Sequence, residues 1–195
     1  MMLQRSFYER PVIQVARELI GCYLVREIDG EKLIGKIVET EAYAGPLDRA
    51  AHSYSNRPTE RTKAMFQEAG HAYIYEMHTH ALLNVVTGRV GQPHGVLIRA
   101  VEPIAGLEII EQNRATVKRQ IDWTNGPGKL TKAFNITKEL YGHSLNESPL
   151  YIEDGERFVD IARSPRVGIA NSGQAAHYPW RFFERNNAYV SAFRK

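Results

Sequence analysis

Cysteine is nearly absent from this chain. The single thiol, Cys22, excludes an intrachain disulfide and any metal site that needs two cysteine ligands. Its neighbours, Leu19-Ile-Gly and Tyr-Leu-Val25, are apolar and predict a buried small hydrophobe. Long apolar runs are missing as well. No stretch suffices to span a bilayer, and residues 1–8 lack the apolar centre of a secretory signal, so an intracellular protein with no membrane partner is the expectation. Excess charge is small: 25 Lys and Arg against 22 Asp and Glu leave +3, which by itself barely argues for an anionic partner. There is no repeat, no low-complexity tract and no linker. A chain of 195 residues, 43% hydrophobic and 24% charged, suits one well-filled core, and residues 1–195 are read as a single domain.

The periodicity gives a mixed architecture. Pro11 followed by apolar residues at 12, 15, 16 and 19 predicts a helix that Gly21 ends. Residues 22–28 and 31–43 read as strands, joined by Asp29-Gly30, a two-residue hairpin signal. Residues 45–63 read as a long polar loop carrying Arg57, Arg61 and Lys63, with a helical turn near 59–65. Strands are predicted at 72–77, 81–86 and 95–101, and a helix from Pro103 to about residue 118. Gly126-Pro-Gly128 should break the chain before a helix at 129–140. Later strands are expected at 151–153, 158–162 and 166–169, with residues 180–183 and 189–191 closing the chain. Helices beside hairpin strands argue for α+β rather than alternating βαβ units.

The chemistry concentrates in residues 37–53. Ile37-Val-Glu-Thr-Glu-Ala-Tyr43 begins as a β-branched run and turns acidic and aromatic before Gly45-Pro46. Alternation along a strand puts Glu39, Glu41 and Tyr43 on one face. A carboxylate and a phenol at a strand end, with His52 nine residues on, form the makings of a polar pocket with a general base. Arg99 interrupts an apolar strand and needs a partner, because an isolated buried charge is too costly; Glu39 or Glu41 would serve. Asn84 also sits in an apolar strand and needs a hydrogen bond. Tyr73, Tyr75, Met77 and His78 read either as core or as a surface for stacking a base. His71, His78 and His80 suggest a metal only weakly, since no recognised ligand spacing accompanies them. Gly126-Pro-Gly-Lys-Leu130 fails as a phosphate loop of the Walker type, though Gly128, Lys129 and a following helix start would suit one phosphate.

Taken in order, several motifs resemble the alkyladenine (3-methyladenine) DNA glycosylase family, in its mammalian type. They are Lys36-Ile-Val-Glu-Thr-Glu-Ala-Tyr43, Gly45-Pro46, Asp48, Ala50-Ala-His-Ser53, Met65-Phe66, Val96-Leu-Ile-Arg-Ala-Val-Glu-Pro103, Asn125-Gly-Pro-Gly-Lys-Leu130 and Arg166-Val-Gly168. The resemblance implies a curved, mainly antiparallel sheet with surrounding helices. It implies base-excision repair: removal of alkylated or deaminated purines, such as 3-methyladenine, 7-methylguanine, hypoxanthine or ethenoadenine, from double-stranded DNA. It implies no metal and no cofactor, a monomer, and a cytoplasmic, nucleoid-associated setting, or a nuclear one in a eukaryote. By motif position, Glu41 would activate water and Arg99 would help place it. Tyr43, His52 and Tyr75 would sandwich the flipped base, and Asn84 would discriminate against the exocyclic amine of guanine. In one member of the family the residue that fills the hole left in the duplex is a tyrosine. Here the segment is one residue shorter, and His78 or Met77 falls nearest.

A base that already carries positive charge leaves readily, so one general base could replace the usual pair of carboxylates. A neutral base would need an acid. Glu39 is the one carboxylate at hand, although pairing with Arg99 is its simpler role. No lysine is placed as a Schiff-base nucleophile, so hydrolysis without strand cleavage is expected. Two other readings stay open on the sequence: a non-catalytic module that binds damaged nucleic acid, and a metal hydrolase built on His71, His78 and His80.

Overall fold

Asp29 and Gly30 both adopt positive φ, 51° and 85°, the combination a type I′ turn requires. They join β1 (Tyr23–Ile28) to β2 (Glu31–Tyr43). The computed structural model describes residues 1–156 and 158–191. A second hairpin is formed by β3 (Ala72–Met77) and β4 (His80–Thr87), followed by β5 (His94–Ala105). Four short strands complete the sheet: β6 (Asn146–Glu147), β7 (Leu150–Glu153), β8 (Ile161–Ser164) and β9 (Arg181–Glu184). The order is β3-β4-β5-β2-β1-β7-β6, with β9 paired to both β2 and β8. Every pairing is antiparallel. With helices α1 (Arg5–Tyr8), α2 (Val12–Glu18), α3 (Leu107–Asn113) and α4 (Pro127–Ala133), the class is α+β with a curled antiparallel sheet, as expected.

β2 changes face halfway along. Leu33 and Ile37 are fully buried in the core, and a Cβ added at Gly35 would meet Val101 at 2.8 Å and Phe134 at 2.9 Å. The register against β5 then shifts between Ile37 and Glu39 and again between Glu39 and Thr40, leaving Val38 and Arg99 without cross-strand partners. Side chains alternate with a period of two, so one extra residue exchanges the faces. Beyond the bulge it is Ala42 that joins the core, and Thr40 donates to the Ala16 carbonyl of α2 at 2.7 Å. Glu39, Glu41 and Tyr43 turn to the opposite face, away from that core. The other edge of β2 changes partner at the same place: β1 pairs residues 31–36, and β9 takes residues 39–41.

Several sequence readings are corrected. Pro103 lies inside β5, opposite Gly35, and not at the start of a helix. A register shift beside Gly35 removes the need for a ladder N–H, which is where a sheet tolerates proline. The helix begins only after Gly106, at φ 72°, and stops at Asn113. The helix expected at 129–140 is the shorter α4, because Asn135 takes φ 48°, which a helix cannot continue through; a separate 3₁₀ turn covers Lys138–Leu140. The turn expected near 59–65 is a 3₁₀ turn at Lys63–Phe66, and the strand placed at 158–162 is β8. Residues 166–169 form no strand, since the Arg166 side chain turns inward to a fully buried carboxylate.

Candidate active site

The second half of β2 ends where the chain must turn sharply. Gly45 has φ 60°, and a Cβ there would lie 2.7 Å from His94 and 2.8 Å from the Pro93 carbonyl. Glycine is required on both counts. The turn releases the loop that carries His52 back over the sheet, and a pocket of about 330 Å³ opens between them. Of the residues singled out from sequence, Tyr43, His52, Tyr75, Met77, Asn84 and Arg99 all line it. Glu41 lies just behind, fully buried.

Glu41 is held from three directions. Its Oε1 accepts the Val167 backbone N–H at 2.7 Å. Its Oε2 accepts the Tyr43 hydroxyl at 2.8 Å and lies 3.4 Å from Arg99 Nη1. A carboxylate offers about four lone-pair sites, so one remains for a further donor. Burial raises the Tyr43 phenol well above its usual range, and the Glu41 charge raises it further; the hydroxyl therefore stays a donor. Burial alone would lower the Arg99 pKa, but the charges of Glu41 and Glu39 outweigh it and raise it.

Glu39 has a different task. Its Oε1 accepts from Arg99 Nε at 2.9 Å, Arg181 Nε at 2.6 Å and the Ser191 hydroxyl at 2.8 Å. Its Oε2 accepts the Ser191 N–H at 2.7 Å. Each of these four contacts uses Glu39 as an acceptor, which makes it the clamp on Arg99.

The aromatic wall is ordered by His52. Its ring packs edge-on against Tyr75, with centroids 4.5 Å apart. Arg61 Nη2 lies 3.2 Å from Nε2, and the Tyr73 hydroxyl lies 2.9 Å from Nδ1. A guanidinium can only donate, so Nε2 accepts and Nδ1 carries the proton. Burial, helped by the Arg61 charge, pushes the His52 pKa down to about 4. Arg61 also covers the Tyr75 ring at 5.0 Å. Asn84 turns its Nδ2 to the carbonyls of Tyr73 (3.2 Å) and Leu82 (3.4 Å), which leaves Oδ1 as the polar atom it offers to the pocket.

Met77 and His78 sit at the tip of the β3–β4 hairpin. His78 and Thr79 both have positive φ, 48° and 69°, so the turn is of type I′. Met77 is half exposed and lines the pocket, whereas His78 does not. His80 opens β4 and packs against Gly128, and His71 faces the Glu68 carbonyl. The strand-end reading in which His78 and His80 point the same way does not survive the turn. Among the described residues no group of three or more His, Cys, Asp or Glu side chains is arranged to hold a metal. Lys129 is tied to Asn125 at 2.7 Å and lies 3.6 Å from Asp122.

Sequence reasoning gave no role to four participants. They are the Val167 N–H, Arg61, Asp48 and Arg166. The last two form a buried ion pair across 118 residues of chain, a separation no local pattern reveals.

Proteins similar to this chain over nearly its whole length carry DNA glycosylase names. A model of the family described as methylpurine-DNA glycosylase (MPG) matches residues 6–188. The chain belongs to that family, and it is therefore an enzyme that acts on DNA. Among its relatives is a Bacillus licheniformis protein, 55% identical over 189 residues, covering 97% of this chain and 96% of the relative. A Bacillus subtilis protein is 52% identical over 186 residues, covering 95% and 94%. A Clostridium novyi protein is 44% identical over 197 residues, covering 97% and 98%. Each bears the name "Putative 3-methyladenine DNA glycosylase". These relatives are bacterial, so the membership stands without the mammalian qualifier. No helix among the described residues is long and apolar enough to cross a membrane.

Proposed function

We propose that this enzyme excises alkylated purines, 3-methyladenine foremost and 7-methylguanine within its range, by hydrolysing the bond between base and sugar. The observation that carries the reading is Glu41: a fully buried carboxylate with donors on three sides, immediately behind an aromatic pocket. The nucleotide rotates out of double-stranded DNA, because its C1′ cannot be approached inside the stack. Tyr43 stacks on the base, with His52 and Tyr75 completing its aromatic surround. Glu41 takes a proton from water held near Arg99, the water oxygen bonds to C1′, and the C–N bond breaks with its electron pair passing to the purine. A base methylated at N3 or N7 carries positive charge and leaves neutral, so no acid is needed. The sugar is left abasic and the strand intact.

His52 is neutral near pH 7, which suits a pocket for cationic bases. Asn84 offers an acceptor to the pocket, so any discrimination against the guanine amine comes from its bulk and not from repulsion of a donor. Met77 fills the hole in the duplex, since it combines exposure with a place on the pocket wall; His78 flanks it in the turn. The enzyme works as a monomer in the compartment that holds the DNA.

The deciding experiment is base release from randomly methylated duplex DNA, with EDTA present, by wild type and Glu41→Gln. Release of 3-methyladenine by wild type alone is the expected result. Equal release by both would remove Glu41 as the base, and EDTA-sensitive release would replace the mechanism with a metal-dependent one.

A further inference from the structure

Tyr43 has two faces, and one is already occupied. The guanidinium carbon of Arg166 lies 4.7 Å from the centre of the Tyr43 ring and 5.1 Å from that of Trp180. The Arg166 side chain is fully buried and takes no part in the pocket wall, whereas Tyr43 does. The tyrosine ring therefore stands between a fixed cation and the pocket. For a site that is to stack a cationic purine this is an awkward neighbour, because both charges draw on the same ring and repel each other through it.

Asp48 removes the conflict. Its carboxylate meets Arg166 bidentately, at 2.5 and 2.9 Å, with both side chains at 0% exposure. It also accepts the backbone N–H groups of Ala44 at 3.1 Å and Ala50 at 3.0 Å, which set the loop leading to His52. Arg166 in turn donates to the carbonyls of Ala42 at 2.8 Å and Ala175 at 3.1 Å. The next residue, Val167, supplies the N–H on Glu41. The carboxylate bonded to the guanidinium leaves the pair with no net charge, so its potential opposes that of the guanidinium behind the ring.

We propose that Asp48 and Arg166 form a charge-compensated backing for Tyr43: Arg166 fixes the ring, and Asp48 cancels its field so that a cationic purine is accepted in front. Both are positioning residues acting through Tyr43. The inference rests on the reading that Tyr43 stacks on the extruded base.

The test uses two duplexes of matched shape. One carries 2′-fluoro-7-methylguanine, cationic and resistant to cleavage; the other carries 2′-fluoro-7-deaza-7-methylguanine, which is neutral. The quantity read is the ratio of their Kd values at pH 6, where N1 of 7-methylguanine keeps its proton and the base is cationic; partial unfolding leaves the ratio unchanged because it weakens both arms equally. In Asp48→Asn the guanidinium is uncompensated, and the cationic duplex loses about tenfold relative to the neutral one. In Arg166→Gln the carboxylate is uncompensated, and the ratio moves severalfold the other way, a sign that loosened packing would not produce. Asp48→Asn combined with Arg166→Gln returns the ratio to within about twofold of wild type. An unchanged ratio in the single variants, or shifts of the same sign in both, overturns the proposal and leaves the pair a structural brace. A Tyr43→Leu variant that keeps the wild-type ratio instead overturns the stacking reading itself, whatever the ion-pair variants do.

Discussion

Tyr43 donates its hydroxyl proton to Glu41, its neighbour but one on β2, at 2.8 Å. The ring that faces the pocket and the carboxylate behind it are thus one mechanical unit. Removing either disturbs the other, unless the change is confined to the hydroxyl.

Tyr43→Phe makes that confined change. The ring stays, and Glu41 loses one charge-assisted bond, an interaction worth about 1.5–3 kcal/mol. Single-turnover release of 3-methyladenine should fall about 10- to 100-fold, while the Kd for lesion-containing duplex changes less than about threefold. A loss confined to Kd would show that the hydroxyl has no part in the chemical step.

Glu39→Gln tests the clamp on Arg99. The variant leaves two buried guanidinium groups facing an uncharged amide in place of the carboxylate that now accepts from both. Breaking a buried pair in this way costs about 3–5 kcal/mol. Urea unfolding should register a loss of that size. Wild-type stability with normal activity would mean that Arg99 finds its place without Glu39.

The His52 pKa sets an acid limit on stability. Burial, then Arg61, hold it near 4 in the folded chain, against 6.5 for the free side chain. Between these values the unfolded chain binds a proton that the folded chain does not. The contribution is therefore full above about pH 6.5 and is lost as pH falls toward 4. His52 keeps one side exposed, so solvent softens the effect. An NMR titration of the His52 ring should give a midpoint near 4 in wild type and a higher one in Arg61→Ala. A midpoint near 6.5 in both would refute the assignment.

The hairpin tip separates stability from binding. Thr79 is β-branched and sits at φ 69°, a conformation that favours glycine. Replacing His78-Thr79 by Asn-Gly should stabilise the fold by about 1 kcal/mol in thermal unfolding. Met77 is half exposed, so Met77→Ala should leave the thermal midpoint unchanged. It should nonetheless weaken binding to lesion-containing duplex by about tenfold. If binding is unaffected, another side chain fills the duplex.

The parts legible in sequence were those with local causes. Asp29-Gly30 announced its hairpin, and residues 31–43 announced a strand because β-branched and alternating residues fit a pleated surface. The shared face of Glu39, Glu41 and Tyr43 was legible from alternation alone. The bulge at Val38, which decides whether that face meets the core or the pocket, was not, because it arises from the pairing with β5. Pro103 misled for the same reason: its acceptance depends on an irregularity opposite it. Asp48 with Arg166, and Glu39 with Arg181 and Ser191, are joined only by the folded chain. His52 and Arg61 were both visible as residues, but nine positions of loop gave no sign that one would fix the tautomer of the other.

The extra residue at Val38 divides β2 as a frameshift divides a message. Upstream, odd positions pack into the apolar core; downstream, even positions do, and the odd ones turn to the buried polar face behind the pocket. The strand can drift in composition on either side of that point so long as each half keeps its own rule. It has no such freedom in length. Deleting one residue there would keep nearly every side chain, yet would exchange the packing set for the acidic one. The segment should therefore tolerate substitution far better than insertion or deletion.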